Sequence, residues 1–149
     1  MAILDRSEEV GQPRGRPRAA VPRILVVDDS PDMRDVLEQV LGPAGYEVIG
    51  VSSGARALSH MSTELPDLVI TDLLMPGMSG FTLRSAMLRR PDLARIPVIV
   101  LSGYWQRPSE TLEAAAVLPK PLNIDLLLST VARLTRDRAD ASTGDSAPA

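Results

Sequence analysis

Five short apolar runs alternate along this chain with segments whose apolar residues recur at helical spacing. The first run, Arg23 to Val27, is the β-branched stretch RILVV, which stops at two aspartates as a buried strand of a parallel sheet does. In the next segment, Pro31 to Leu41, apolar residues share one predicted helical face: Met33, Val36, Leu37, Val40 and Leu41. Ser30 or Asp29 is predicted to cap this helix, and Gly42-Pro43 to end it.

The same alternation continues to the end of the chain and predicts five strand-helix units. The predicted strands are residues 23–27, 46–52, 66–72, 96–102 and 116–120, and the predicted helices are residues 31–41, 54–65, 81–90, 109–115 and 123–136. Short connections between such units imply a parallel sheet with helices on both faces. The sequence therefore predicts a doubly wound α/β fold with a five-stranded parallel sheet.

Polar residues follow or end four of the predicted strands. In an open parallel sheet, ligands bind outside the carboxyl ends of the strands, where the strand order reverses. The residues at those ends are Asp28, Asp29, Asp72, Ser102 and Lys120. In the flavodoxin-like strand order 2-1-3-4-5 the reversal lies between the first and third strands. Three aspartates are therefore predicted to converge on one crevice.

Three neighbouring carboxylates repel one another, so either one is protonated or a hard divalent cation neutralises them. Mg²⁺ suits the second case because it prefers oxygen ligands and also recruits phosphate oxygens. Asp72 stands alone at its strand end and is the predicted nucleophile toward phosphorus. Lys120, the only lysine among 16 basic residues, and the Ser102 hydroxyl are predicted to bind phosphoryl oxygens.

These residues resemble the receiver domain of response regulators in two-component signalling. The matching pieces are the acid pair in LVVDDS, the aspartate in VITDLLMPGMSG, the serine in VIVLSG and the lysine in LPKPL, and they span about residues 23–136. The resemblance implies that Asp72 is the phosphoacceptor and that Mg²⁺ is held by Asp29, Asp72 and the main-chain carbonyl of Leu74, with Asp28 acting through water.

The same resemblance implies the partners and one departure from the family. The phosphoryl group would come from a sensor histidine kinase or a phosphotransfer protein, and the Lys120-Pro121 bond would be of the kind that is commonly cis in the family. Many receivers carry a switch aromatic three positions before the lysine, but here that position is Val117. Tyr104 or Trp105 could take over this role, or could simply pack an exposed loop. The surface of the fourth helix, fifth strand and fifth helix is the expected partner surface by resemblance only.

Composition limits what else the chain does. Residues 1–22 and 137–149 read as flexible tails around one domain at 23–136. The chain has no cysteine, a net charge of -3 and no apolar run long enough to cross a bilayer, which favours a cytoplasmic protein without a membrane partner. The expectation is a stand-alone signalling receiver rather than an enzyme, with an unknown downstream protein and possible dimerisation on phosphorylation.

Two other functions fit parts of the sequence. A haloacid-dehalogenase-type phosphatase also uses a strand-end aspartate and Mg²⁺, but it needs a second acid two residues later, where this chain has Leu74. The tail segment PRGRPR, with Arg14 and Arg16, resembles an AT-hook, which lies in the A·T minor groove of DNA. Flavin binding is disfavoured because Asp28 and Asp29 would repel a cofactor phosphate.

Overall fold

The computed structural model describes residues 21–103 and 114–146 and contains one five-stranded parallel sheet in the order β2-β1-β3-β4-β5. The strands are β1 Arg23–Val27, β2 Glu47–Val51, β3 Leu68–Asp72, β4 Val98–Ser102 and β5 Ala116–Pro119. The helices of the described ranges are α1 Pro31–Leu41, α2 Gly54–Met61, α3 Gly80–Leu88, the one-turn α4 Pro91–Ala94, and α5 Ile124–Ser146. The predicted fold class and strand order are confirmed.

The two faces of the sheet bury separate apolar clusters, as alternation along each strand requires. On β1, Ile24 and Val26 pack with α1 and α5, whereas Leu25 and Val27 pack with α2 and α3. The central strands β1, β3 and β4 are therefore apolar on both sides, which explains their near-continuous hydrophobic runs. Val36, one of the five apolar residues of the predicted helical face of α1, is 42% exposed, because five apolar residues span a wider arc of the helix than the sheet covers.

Serine hydroxyls cap three helices that follow strands. The Oγ atoms of Ser30, Ser53 and Ser79 each accept a hydrogen bond from an amide in the first turn of α1, α2 and α3. The bounds of α1 are those predicted, with Ser30 as the cap. Each cap fixes where the chain leaves the carboxyl end of a strand, so the serines help to shape the loops around the crevice.

Two helices differ from the prediction at their ends. α2 stops at Met61 rather than residue 65, because the hydroxyls of Ser62 and Thr63 bond back to the carbonyls of Leu58 and His60 and the chain turns there. α3 ends at Leu88, and Pro91 then starts the short α4, which apolar periodicity did not predict.

The last helix corrects the predicted boundary of the C-terminal tail. α5 runs from Ile124 to Ser146, so residues 137–146 of the predicted tail are helical. A helix that has started gains one backbone hydrogen bond for each residue added, so small and polar residues continue it where no proline intervenes. Pro148 is the first proline after Pro121. Within the described residues, no helix has the length and apolar character needed to cross a bilayer.

Candidate functional site

The carboxyl ends of β1 and β3 bring three aspartates together. Asp28 and Asp29 follow β1 directly, and Asp72 is the last residue of β3, which pairs with β1 in parallel. One carboxylate oxygen from each of the three residues lies within 4.8 Å of the others. Asp28 is buried, Asp72 is partly buried and Asp29 is exposed, so the cluster opens toward solvent on one side. This arrangement concentrates negative charge where the strand order reverses.

Asp28 is the most confined of the three acids. Its side chain is buried, with the residue only 2% exposed, and its Oδ1 accepts a hydrogen bond of 2.9 Å from the Ser30 amide. Its Oδ2 is also buried and accepts no hydrogen bond from the residues that the structure describes. Burial raises the pKa of Asp28 above the ordinary aspartate value, the Ser30 amide opposes that rise, and the nearby charge of Asp72 adds to it.

Lys120 supplies the positive charge of the site. It lies just beyond β5, and its Nζ donates a hydrogen bond of 2.9 Å to Asp72 Oδ1 in a partly buried ion pair. The Lys120-Pro121 peptide bond is cis, as the resemblance implies. The Lys120 amide donates to the Ser102 carbonyl at 2.9 Å, which ties the lysine backbone to the end of β4. One ammonium therefore faces three carboxylates.

The chain after Asp72 folds closely back over the end of β3. The Gly80 amide donates to the Leu73 carbonyl at 2.8 Å, and a Cβ atom added to Gly80 would lie 2.8 Å from the Asp72 carbonyl oxygen. Only glycine leaves room for that approach. Gly77 has a φ of 84°, in the left-handed region, which lets the loop turn within a few residues. These glycines account for the MPGMSG stretch that follows the site.

The other predicted site residues lie around the crevice in different settings. Ser102 is buried at the end of β4, one residue beyond the strand partner of Asp72. Gly103 is exposed, with open space where a side chain would begin. The Leu74 side chain is 61% exposed. Val117, at the position of the missing switch aromatic, is a half-buried residue of β5 packed against the cluster of α2 and α3.

Several predicted features lie outside the described residues. These are Tyr104 and Trp105, most of the predicted helix at residues 109–115, and the tail arginines Arg14 and Arg16. The proposed substitute for the switch aromatic, the partner surface and the AT-hook resemblance therefore remain predictions.

Apolar periodicity and strand ends did not single out two residues beside the site. The Arg34 guanidinium donates a hydrogen bond of 2.7 Å from Nη1 to the main-chain carbonyl of Asp28. The hydroxyl of Thr71, which is fully buried, donates to the Asp72 carbonyl at 2.9 Å. Thr71 breaks the apolar run of β3 and could have been noticed for that reason. Arg34 carries no such signal, because an arginine on a helix is usually a solvated residue.

The donor set of the cluster fits a hard divalent cation. Mg²⁺ and Ca²⁺ bind carboxylate oxygens, and a cation would offset the burial and the nearby negative charges that raise the pKa of Asp28. The buried Oδ2 of Asp28 is a lone-pair donor without a hydrogen-bond partner among the described residues, and leaving such an atom unsatisfied is costly. Asp28, Asp29 and Asp72 are therefore the residues that could hold a metal.

A comparison with protein families matches residues 24–132 to the response regulator receiver domain. Among curated proteins, the chain is 44% identical over 91 residues to the sensor histidine kinase TmoS of Ectopseudomonas mendocina, covering 61% of this chain and 9% of TmoS. It is 31% identical over 113 residues to protein PilH of Pseudomonas aeruginosa, covering 73% of this chain and 93% of PilH. The chain spans half or less of the length of several other curated relatives.

Solved structures give the same result. The response regulator protein TrrA of Thermotoga maritima, solved in complex with Mg²⁺-BeF, superposes with a TM-score of 0.70 at 33% identity. That match covers 76% of this chain and 98% of the TrrA chain.

Proposed function

Since this chain belongs to the family of response regulator receiver domains of two-component signalling, we propose that Asp72 accepts a phosphoryl group from a phosphohistidine. The donor is a sensor histidine kinase or a phosphotransfer protein, and the phosphorylated chain signals by contact with a further protein. The observation that carries the proposal is the Asp72-Lys120 ion pair of 2.9 Å beside two further carboxylates at the carboxyl end of the sheet.

Asp72 has the position that a nucleophile needs. It ends a central strand, its carboxylate is partly buried, and Lys120 engages one of its two oxygens. In the proposed transfer, a carboxylate oxygen of Asp72 forms a bond to phosphorus as the bond between phosphorus and the donor histidine nitrogen breaks. The bonding electron pair returns to the imidazole ring, and the product on this chain is an acyl phosphate.

Asp29, Asp72 and the Leu74 carbonyl would hold Mg²⁺ directly, with Asp28 acting through water. The ion would neutralise the acid cluster and the charge on the phosphoryl oxygens. TrrA, which is 33% identical to this chain, was solved with Mg²⁺-BeF, and this supports the proposal. The raised pKa of Asp28 is consistent with it, because burial, the largest cause of the rise, disfavours the charged carboxylate and a nearby cation would favour it.

Lys120 and Ser102 would bind the phosphoryl group once it is on Asp72. Lys120 already lies at hydrogen-bond distance from the accepting carboxylate and would pair with a phosphoryl oxygen as a compact ammonium. The Ser102 hydroxyl, on the neighbouring strand, would donate to another oxygen. Val117 has no ring to reorient, so the signal would leave by a route other than an aromatic switch at that position.

The phosphatase alternative has less support. Two residues after Asp72, where that chemistry needs a general acid, the chain has Leu74, whose side chain is 61% exposed. An alkyl side chain can neither donate nor accept a proton.

The proposal is tested by intact-mass spectrometry after incubation with acetyl phosphate, with and without Mg²⁺. We expect a gain of one phosphoryl group that requires Mg²⁺ and is absent in Asp72→Asn, which keeps the side-chain size but lacks a nucleophilic carboxylate. Ser59→Ala, an exposed position on α2, is the matched control. Because some receivers accept only from their kinase, a phosphorylated histidine phosphotransfer domain is the second donor. No phosphorylation from either donor, or equal phosphorylation of Asp72→Asn, would refute the assignment.

A further inference from the structure

Three hydrogen bonds form a closed ring between the acid pair and the first turns of α1. The Ser30 amide donates to Asp28 Oδ1 at 2.9 Å, and the Arg34 amide donates to the Ser30 carbonyl at 3.1 Å. The ring closes through the Arg34 guanidinium, whose Nη1 donates to the Asp28 carbonyl at 2.7 Å. The carboxylate of Asp28 is therefore held by the cap residue of α1, and its carbonyl is held by Arg34 of α1.

The Asp28 carbonyl needs such a partner because it lies beyond the end of the strand. β1 ends at Val27, and the Asp28 amide still donates to the Val51 carbonyl of β2 at 3.1 Å. Buried main-chain carbonyls outside a ladder must find another donor. Arg34 supplies a charged one at a short distance, and charge-assisted hydrogen bonds are stronger than neutral ones.

Gly50 provides the path along which the Arg34 side chain reaches that carbonyl. Gly50 is the strand partner of Val26 on the edge strand β2. A Cβ atom added to Gly50 would lie 3.2 Å from Cδ of Arg34 and 3.6 Å from its Cβ. The alkyl part of Arg34 therefore lies directly over the glycine, and a larger residue there would press against it.

We propose that Arg34 is a positioning residue for the metal site, which acts through Asp28 and depends on the space left by Gly50. By fixing the Asp28 backbone while Ser30 holds Oδ1, it fixes the place of the Asp28 carboxylate in the three-acid cluster. Without this anchor, the carboxylate of Asp28 rotates or shifts with its peptide, and the three-acid cluster loses its geometry. The inference rests on the proposed binding of Mg²⁺.

The experiment measures Mg²⁺ affinity by calorimetry on the unphosphorylated full chain, so no phosphodonor is involved. Arg34→Met keeps an alkyl chain over Gly50 but lacks the donor, and we expect Mg²⁺ to bind about tenfold more weakly, as for other residues that orient metal ligands. Arg34→Lys keeps a charged donor and should recover most of the affinity. Arg56→Met, at an exposed position on α2, is the matched control and should bind as the unaltered chain does.

A second variant and a second measurement separate positioning from general stability. Gly50→Val keeps Arg34 but crowds its path, and because valine suits an edge strand we expect the variant to fold. We expect weaker Mg²⁺ binding in this variant too. In both Arg34→Met and Gly50→Val, hydrogen exchange followed by NMR should show faster exchange of the Ser30 amide, while the amides of the middle of α1 keep their protection.

Each outcome decides the inference. Affinity in Arg34→Met within twofold of the unaltered chain would overturn it, as would unchanged exchange at Ser30 in both variants. Equal losses in Arg34→Met and Arg56→Met would also overturn it, because the loss would then not depend on the hydrogen bond from Arg34 to Asp28. An unaltered chain that binds no Mg²⁺ would refute the inference together with the metal site. Loss of phosphotransfer with retained Mg²⁺ binding would refute the proposed function alone.

Discussion

The two ends of the sheet both carry clusters of charged residues, but they balance those charges differently. At the amino end, Arg23 forms ion pairs with Glu47 and Glu64, and its amide donates to Asp67 Oδ2 at 2.7 Å. His60 lies near the same cluster, with Nε2 3.7 Å from Glu64 Oε1. Acidic groups there face a cation or a backbone donor, and the pairs are partly exposed to water. That is the arrangement of a stabilised surface.

At the carboxyl end, the negative charges outnumber the positive ones. Three carboxylates share a single ammonium, and one of them is buried with an oxygen that has no partner among the described residues. Repulsion between carboxylates is stronger in a buried site, where the dielectric constant is low, than in water. The electrostatic energy of the carboxyl end is therefore less favourable than that of the amino end. The difference indicates that the charges at the amino end stabilise the fold, whereas those at the carboxyl end suit the binding of a ligand. The predictions below test that distinction.

The largest expected effect is at Lys120. Lys120→Met removes the only positive charge that is paired with Asp72 among the described residues. We expect phosphorylation by acetyl phosphate to slow by about a hundredfold, because a charged donor aimed at developing charge contributes about that much. Mg²⁺ should bind at least as tightly, because a repelling cation has gone. Rates come from intact mass over time, and affinity comes from calorimetry.

Lys120→Arg sharpens this prediction. It keeps the charge but replaces a compact ammonium group by a planar guanidinium group on a longer side chain, so we expect only a small recovery of the rate. A rate in Lys120→Met close to that of the unaltered protein would show that the ion pair is structural, like those at the amino end.

The next effect concerns the close packing at the end of β3. Gly80→Ala places a Cβ atom 2.8 Å from the Asp72 carbonyl oxygen, so the backbone must move. We expect a loss of about 2 kcal/mol in the free energy of unfolding, in the range of other overpacked positions. Urea unfolding measures it. The matched control is Gly103→Ala, where nothing lies within 4 Å of the added atom. Equal stability of the two variants would contradict the observed packing.

Asp28→Asn should stabilise the protein in the absence of divalent cations. Asparagine keeps an oxygen for the Ser30 amide and removes a buried charge, so we expect a gain on the order of 1 kcal/mol at neutral pH. Added Mg²⁺ should stabilise the unaltered protein more than the variant. Urea unfolding with and without Mg²⁺ tests both statements, and a destabilised metal-free variant would contradict the first.

The pH dependence of this gain follows from the direction of the pKa shift. The pKa of Asp28 is higher in the folded chain than in the unfolded chain, so on acidification the folded state takes up its proton first. The unfavourable contribution of Asp28 is present above the folded pKa and disappears as the pH falls toward the ordinary aspartate value of about 4. The advantage of Asp28→Asn should therefore shrink between pH 7 and pH 4.

The smallest effect is expected at the amino end. Glu64→Gln removes the ion pair between Arg23 and Glu64 and leaves Glu47, whose Oε1 lies 3.1 Å from Arg23 Nε. We expect a loss of less than about 1 kcal/mol, reduced further by salt, and no change in Mg²⁺ affinity or phosphorylation. Thermal unfolding at low and high salt measures this. A large loss of phosphorylation would mean that the two ends of the sheet are coupled.

Much of the site could be predicted because strand ends are local features. Asp28, Asp29 and Asp72 stand out where apolar runs stop, and parallel topology then requires that they meet. Helix ends were harder to predict. The hydroxyls of Ser62 and Thr63 end α2 by competing for main-chain carbonyls, and the continuation of α5 to Ser146 lacks any apolar signal.

The sequence by itself determined the alternation of strands and helices, the order of the acids and the single lysine, because these depend on neighbouring residues and on side-chain chemistry. Only the tertiary structure decided which of the three carboxylates is buried, since the burial of Asp28 results from contacts with separate segments of the chain. It also decided that Arg34 reaches the Asp28 carbonyl, because that path exists only where Gly50 of β2 leaves space for it. Burial and packing space depend on residues that are distant in the sequence, so local sequence patterns do not encode them.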